Sequence, residues 1–227
     1  MSDTPLATRL DHILTVIARA CERSGREPGQ VRLVAVTKTH PPPVVSEAWD
    51  AGVREFGENY VNELATKSAA APDATWHFIG RLQSHTAHKV AEHADVVQTL
   101  ASRSATERLA RRAASKGRRL PALIEVDLTG ERNGVAPEEL PTFAEDVSRL
   151  PGLRLVGLMT LPPIPSRAED SRPYFRRLRE LRDALTERHR DALDLSMGMS
   201  LDYEVAVEEG ATMVRIGTAL FGARPQA

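Results

Sequence analysis

The sequence predicts a single α/β domain folded as a (β/α)8, or TIM, barrel. Eight short runs of mostly apolar residues recur along the 227-residue chain, many of them bounded by Gly, Thr or Ser, and helical patterns lie between them. Near-continuous apolar strands that alternate with helices are typical of a parallel sheet covered on both faces. About eight such units in a chain of this length match a closed barrel.

The predicted elements follow one another in a regular order. The strands are placed at 31–37, 53–57, 75–80, 95–100, 120–128, 153–159, 193–198 and 212–217. The helical patterns lie near 43–51, 59–69, 85–93, 103–117, 137–149, 171–190 and 202–209. A helix over 1–24 precedes the first strand, so residues 1–30 are expected to form a helical extension packed on the barrel, within one domain spanning 1–227. The Pro- and Ser-rich segment 162–170 predicts a mobile loop, with a domain linker as the alternative.

A doubly wound open sheet is the alternative fold. Its usual dinucleotide fingerprint, G-x-G-x-x-G after the first strand, is missing, and so is the phosphate-binding sequence G-x-x-x-x-G-K-[ST]. In a closed barrel, function resides at the C-terminal ends of the strands. The polar residues that follow each apolar run are therefore the candidate functional residues.

Composition and charge indicate which partners and which cellular compartment to expect. The formal net charge of -1 provides no general attraction for nucleic acid or an anionic membrane. Cys21 is the single cysteine, which is typical of a reducing compartment. The first 20 residues contain an early aspartate and lack the long apolar stretch of a signal peptide or a membrane span. We expect a cytoplasmic protein, with a monomer as the default.

Lys38 is the first candidate, because it directly follows the run LVAVT. A lysine at the end of a buried strand points towards a low-dielectric site. Desolvation and nearby cations favour the neutral amine there, which is a nucleophile for aldehydes. An ordinary solvent-exposed lysine is the alternative interpretation.

A second candidate site lies in SMGMS (196–200) and RIGT (215–218), at the ends of the last two strands. The last strands of a barrel commonly form a phosphate site from loop amides and a short helix. Ser200 offers a hydroxyl, and Gly217 and Thr218 offer backbone N–H groups. Turn glycines and a serine N-cap are the alternative interpretation, and the two roles are compatible.

Other polar residues indicate less. Asn59 caps the next helix or reaches into the barrel mouth, and Glu58 is a potential partner for Lys38. His77 lies inside a strand, where a hydrogen-bonded core histidine is more common than a catalytic one. His85 and His88 have the spacing of a metal pair but lack a third ligand, so no metal is expected.

These segments together resemble a known family. LVAVTK (33–38), GENYVNE (57–63), WHFIGRLQS (76–84), GLMTLPP (157–163) and LSMGMSLDYEVAVEEGATMVRIGTALFG (195–222) are similar to the pyridoxal phosphate homeostasis proteins, relatives of the N-terminal barrel of alanine racemase. The resemblance covers nearly the whole chain after residue 30, and its last motif is long and specific.

The resemblance implies a barrel of pyridoxal 5'-phosphate (PLP) fold type III, with PLP held as a Schiff base on Lys38. It implies the phosphate on Ser200, Gly217 and Thr218, the pyridine nitrogen facing Arg215, and Asn59 and His77 close by. Two segments depart from the family pattern: LQSHT (82–86) and the shortened GERNGV (130–135). Arg132 is the candidate to replace a lysine missing there.

The same resemblance favours cofactor handling over fast catalysis, with no catalytic residue expected. Racemases of this type take a second base, a tyrosine, from an additional domain, which we do not expect in a chain that ends soon after the last strand motif. A permanently protonated Arg215 would make the ring a poor electron sink. We expect a protein of intracellular PLP homeostasis, with apo PLP-dependent enzymes as candidate recipients.

Three alternatives remain open at this point. The first is a slow PLP-dependent amino-acid racemase or related PLP enzyme. The second is a cofactor-free barrel lyase that forms a Schiff base with a phosphorylated sugar. The third is an RNA or protein adaptor acting through the arginine-rich stretch 103–119, although no aromatic residues for stacking are interleaved there, so no nucleic acid is expected as partner.

Overall fold

The computed structural model describes residues 4–222 and contains a closed barrel of eight parallel strands in sequential order. The strands are β1 (Arg32–Val36), β2 (Glu55–Glu58), β3 (Thr75–Phe78), β4 (Val96–Leu100), β5 (Leu120–Glu125), β6 (Leu153–Met159), β7 (Asp194–Ser196) and β8 (Met213–Ile216). Closure is shown by β1, which pairs with β2 through Val34↔Glu55 and with β8 through Val34↔Arg215. The predicted (β/α)8 barrel is confirmed.

Helices connect the strands and cover the barrel. They are α1 (Leu6–Arg23), α2 (Pro43–Asp50), α3 (Val61–Ala70), α4 (Ala87–His93), α5 (Arg103–Ser115), α6 (Leu140–Ser148), α7 (Arg172–Thr186), α8 (Tyr203–Glu208) and α9 (Thr218–Phe221). A 3-10 turn at Ala168–Ser171 ends the predicted 162–170 loop. None of the helices among residues 4–222 is both long and apolar enough to span a bilayer.

The extra N-terminal helix is confirmed as an outer element of the barrel. Leu6, Leu10, Ile13 and Ile17 recur every three or four residues and are buried in the main hydrophobic core. After this helix, the Arg26 guanidinium donates to the carbonyls of Val207 (2.8 Å) and Ala211 (2.9 Å). The N-terminal extension is therefore held against α8 and the turn before β8.

Some strands stop earlier than the apolar runs predict. The run 120–128 forms a strand only to Glu125, because the chain then bends around Asp127. The Asp127 carboxylate accepts backbone N–H groups of Thr129 (2.8 Å) and Arg132 (2.8 Å). The run 193–198 stops at Ser196 because the chain bends at Gly198, which has a φ of 91°. Helix α8 packs so closely here that a Cβ on Gly198 would press on Ala206.

Candidate functional site

A cavity of about 270 Å³ opens at the C-terminal ends of the strands. The predicted residues that line it are Lys38, Asn59, Ser200, Arg215, Gly217 and Thr218. They come from segments that are far apart in sequence, and the barrel closure between β1 and β8 brings the first and last of them together. The structure thus places six of the seven predicted site residues around one space.

Lys38 follows β1 on a turn with unusual backbone geometry. Within residues 4–222, Thr39 is the one non-glycine residue with a positive φ, at 65°. A β-branched residue in this left-handed region is strained. The turn gives the backbone its direction change directly after Lys38, and the lysine side chain lines the cavity.

A buried ion-pair network holds this turn from outside the cavity. The Lys67 ammonium donates to Glu58 Oε1, Glu63 Oε2 and the Thr37 carbonyl, each at 2.7 Å. Glu58 was expected as a possible partner of Lys38. The structure pairs its carboxylate with Lys67 and with the Thr37 hydroxyl, which donates at 2.6 Å. Burial raises the pKa of Glu58, and the Lys67 hydrogen bond opposes that shift.

Arg215 brings a fixed cation to the inner wall of the cavity. Its guanidinium donates to Ser196 Oγ (2.6 Å) and to the Thr160 carbonyl (2.9 Å). The residue is buried with 4% of its surface exposed, and burial lowers its pKa to about 10. Arg215 therefore stays protonated at neutral pH and acts as a hydrogen-bond donor, not as an acid.

The resemblance implies that His77 lies close to the cofactor, and in the structure its side chain does not line the cavity. Its ring is fully buried in the barrel interior, where Nε2 meets Glu55 Oε2 at 2.9 Å and Nδ1 meets Gln98 Nε2 at 2.8 Å. Ile79, two residues on, reaches the cavity lining and His77 does not. Because the Gln98 amide donates to Nδ1, Nε2 carries the proton and donates to Glu55.

His77 nevertheless connects to Arg215 through hydrogen bonds. The Gln98 carbonyl oxygen accepts from Ser196 Oγ at 2.6 Å, and Ser196 Oγ in turn accepts from Arg215. A line of polar side chains thus runs through the barrel interior from Glu55 to the guanidinium. The core interpretation of His77 agrees with this arrangement, and its effect on the cavity passes through Arg215.

The opposite side of the cavity is formed by the loop after β7 and the start of α9. Ser200 Oγ accepts the Ala219 N–H at 3.1 Å. Asp202 holds the loop by accepting the Met199 N–H and the Ser171 hydroxyl, both at 2.7 Å. The first N–H groups of a helix lack acceptors inside the helix, so the N–H groups of Gly217 and Thr218, together with the Ser200 hydroxyl, form a donor-rich wall.

Asn59 has an unsatisfied side-chain oxygen beside this cavity. Its Oδ1 is buried and finds no hydrogen-bond partner among residues 4–222. A buried acceptor without a donor is costly, and such atoms often mark a ligand contact. Gly80 packs against the Asn59 backbone so tightly that a Cβ there would overlap its carbonyl. The segment that follows β3 therefore packs directly on the Asn59 backbone.

Apolar side chains that the sequence did not single out complete the lining. Val36, Ile79 and Met159 come from strand ends, and Leu161 follows β6. Ile164, in the predicted mobile loop, lines the rim while 81% of its surface is exposed. Alternation along strands could have selected Val36 and Ile79, but the long-range position of the 162–170 loop leaves no local sequence signal.

Glu125 is a half-buried carboxyl at the end of β5. Burial raises its pKa to about 7, and the nearby charges of Arg215 and Arg132 partly oppose the shift. Sequence reasoning missed Glu125 because it ends an apolar strand without belonging to a recognised motif. His85 and His88 are exposed, and no cluster of metal-ligating side chains forms within the described part of the chain.

Comparison with known proteins now places the chain. The alanine racemase N-terminal domain family matches residues 9–225. The pyridoxal phosphate homeostasis protein of Aquifex aeolicus is 44% identical over 221 residues, covering 95% of this chain and 97% of the relative. The chain belongs to the pyridoxal phosphate homeostasis protein family. The homologue of the same name in Escherichia coli is 38% identical over 226 residues, covering 96% of this chain and 97% of that protein.

Solved structures of the family agree. PipY of Synechococcus elongatus, solved with PLP bound and also without it, is 37% identical with a TM-score of 0.84, covering 96% of this chain and 100% of that chain. Alanine racemase of Clostridium difficile is 15% identical with a TM-score of 0.76, and this chain covers 61% of it. That distant likeness shows the shared barrel alone.

Proposed function

We propose that the protein holds PLP as a Schiff base on Lys38 and maintains intracellular PLP homeostasis. The observation that carries the proposal is the cavity in which Lys38 and Arg215 meet the donor-rich wall of Ser200, Gly217 and Thr218. The PLP-bound structure of the relative PipY supports the same cofactor. Action in the cytoplasm as a monomer is part of the proposal, and the single buried cysteine is consistent with a reducing compartment.

The residues present fit the cofactor on their own chemistry. Ser200 and the N–H groups at the start of α9 suit a phosphate, while the orphaned Asn59 Oδ1 offers an acceptor. Arg215 would donate to the pyridine nitrogen. Condensation of the Lys38 amine with the aldehyde releases one water and is reversible. Bound PLP can supply electron withdrawal for carbanion chemistry.

The surroundings of the cavity favour holding over fast turnover. Arg215 keeps its proton at neutral pH, so it does not protonate the ring nitrogen as an acid would. The tyrosines in residues 4–222 lie elsewhere: Tyr60 is 57% exposed, Tyr203 is buried on α8, and Tyr174 lies on α7. None of them is among the cavity-lining side chains.

The decisive experiment is borohydride reduction of the protein incubated with PLP, followed by peptide mass mapping. Reduction fixes the imine as a stable amine on the lysine that formed it. The chain has four lysines, and we expect the pyridoxyl-phosphate adduct on Lys38 and none on Lys67, Lys89 or Lys116. Lys38→Ala should abolish the adduct. Lys89→Ala, which alters an exposed lysine on α4, is the matched control and should load normally.

The same samples separate the alternative functions. An amino-acid racemase would exchange α-deuterium at about 1 per second or faster, and that rate would refute the holding role. A sugar-phosphate lyase would stay colourless with PLP and gain mass only with its own substrate. Salt-dependent RNA binding that survives Lys38→Ala would favour the adaptor. Delivery to apo-enzymes predicts that loaded protein reactivates an apo PLP enzyme, with Lys38→Ala protein as the blank.

A further inference from the structure

We infer that Lys67 is a positioning residue that holds the turn carrying Lys38, and this inference rests on the proposed function of Lys38. Lys67 does not reach the cavity. Its ammonium lies behind the turn, with 3% of its side chain exposed, and it uses all three of its protons on fixed acceptors. The geometry connects it to the residues on both sides of Lys38.

On the N-terminal side, the network fixes Thr37 twice. The Thr37 carbonyl accepts from Lys67 Nζ at 2.7 Å, and its hydroxyl donates to Glu58 Oε1 at 2.6 Å. Glu58 is itself fully buried and pairs with Lys67. These two hydrogen bonds leave the backbone at Thr37 little freedom to change direction.

On the C-terminal side, the network fixes the strained residue. The Thr39 N–H donates to Glu63 Oε2 at 2.8 Å, and the same oxygen accepts from Lys67 at 2.7 Å. Thr39 has a φ of 65°, a conformation that a β-branched residue keeps only when its surroundings impose it. Lys67 orients Glu63, and Glu63 holds Thr39 in this conformation.

The consequence is that Lys67 sets the direction of the Lys38 side chain without touching the ligand. If the network is removed, Thr39 relaxes to a negative φ and the backbone after Lys38 turns differently. PLP then binds to the fraction of molecules that keep the original turn, so the apparent affinity falls by that fraction. The network also gives a geometric reason to expect no adduct on Lys67: its amine is enclosed by acceptors and does not line the cavity.

The test compares Lys67→Met with Lys89→Met, which makes the same substitution at an exposed lysine. We expect Lys67→Met to bind PLP about tenfold more weakly or worse, as the loss of hydrogen bonds from a charged donor implies. Lys89→Met should bind as the unmodified protein does. A second readout needs no PLP: the Thr39 amide should exchange its hydrogen about tenfold faster in Lys67→Met.

Thr39→Gly distinguishes positioning from a general loss of stability. Glycine adopts a positive φ without strain, so Thr39→Gly combined with Lys67→Met should recover most of the lost PLP affinity. A double variant that binds no better than Lys67→Met overturns the inference, as does a Lys67→Met protein with unchanged affinity and unchanged exchange. If Lys67→Met does not fold, Glu63→Ala replaces it, because Glu63 is only partly buried and the Lys67–Glu58 pair remains. Unchanged exchange at Thr39 in Glu63→Ala refutes the inference.

Failure of the proposed function gives a different pattern. In that case the protein with all four lysines intact forms no adduct on Lys38 when it is incubated with PLP and reduced. The exchange measurement on Thr39 still reports whether Lys67 holds the turn.

Discussion

Glu125 gives a quantitative test of the electrostatics beside the cavity. Burial raises the pKa of its carboxyl from about 4.5 to about 7 in the folded protein. Between these values the unfolded chain has an ionised carboxyl while the folded one binds a proton, so folding becomes less favourable as the pH rises. A shift of this size corresponds to about 3 kcal/mol once both states are ionised. The penalty is absent below pH 4.5 and fully developed above pH 7.

Glu125→Gln removes the titration while keeping the shape of the side chain. We expect the variant and the unmodified protein to have the same free energy of unfolding near pH 4.5. Above pH 7 the variant should be more stable, by up to about 3 kcal/mol. Urea unfolding of both proteins without PLP, at half-unit steps from pH 4.5 to pH 8.5, measures the difference directly. A difference that stays constant with pH would show that folding does not shift the pKa of Glu125, and a variant that becomes less stable than the unmodified protein as the pH rises would show that folding lowers it.

Three further predictions concern packing and charge. Gly80→Ala should lower the free energy of unfolding by about 1–3 kcal/mol and weaken PLP binding, because its Cβ would displace the Asn59 carbonyl; chemical denaturation and adduct yield measure the two effects. Cys21 is fully buried and burial raises its pKa, so a thiol reagent at pH 8 should label it only after denaturation. Arg172→Ala should cost about 1–3 kcal/mol in urea unfolding, because Arg172 joins Glu169 to Glu208 at the end of α8 and to Glu209 directly after it, and Arg177→Ala on the exposed face should cost far less.

The barrel was predictable because its strands are buried on both faces. All five residues of β4 are buried, and although Gln98 and Thr99 are polar, the run lacks the polar alternation of a half-exposed strand. The helical extension was predictable from the spacing of Leu6, Leu10, Ile13 and Ile17. The ends of the strands were harder to predict, because Asp127 and Gly198 end their strands through backbone contacts that only the folded chain makes.

The site likewise contains residues that the sequence predicts and residues that it does not. Lys38 and the SMGMS and RIGT segments were found because strand ends in a barrel converge on one rim. The resemblance implies that His77 lies near the ring of the cofactor, and the structure buries its side chain with Glu55 and Gln98 as partners, outside the cavity lining. Strand alternation gives the face of a residue but not its depth in the barrel. The role of Lys67 could not be predicted from local sequence, since its contact with Thr37 joins residues 30 positions apart.

Selection of one lysine among four follows from placement more than from intrinsic reactivity. Lys89 and Lys116 are exposed, so an aldehyde that reacts there gains no phosphate contacts and the imine returns to the free amine. Lys67 is buried and its amine donates to the carboxylates of Glu58 and Glu63. Lys38 alone among them lines a cavity that also contains the Ser200 and Thr218 donors and the Arg215 cation. A cradle that binds the phosphate raises the local concentration of the aldehyde at this amine, and the imine persists for as long as the phosphate stays bound. Ser200→Ala should therefore shorten the lifetime of the imine on Lys38 while leaving the transient reaction of Lys89 unchanged.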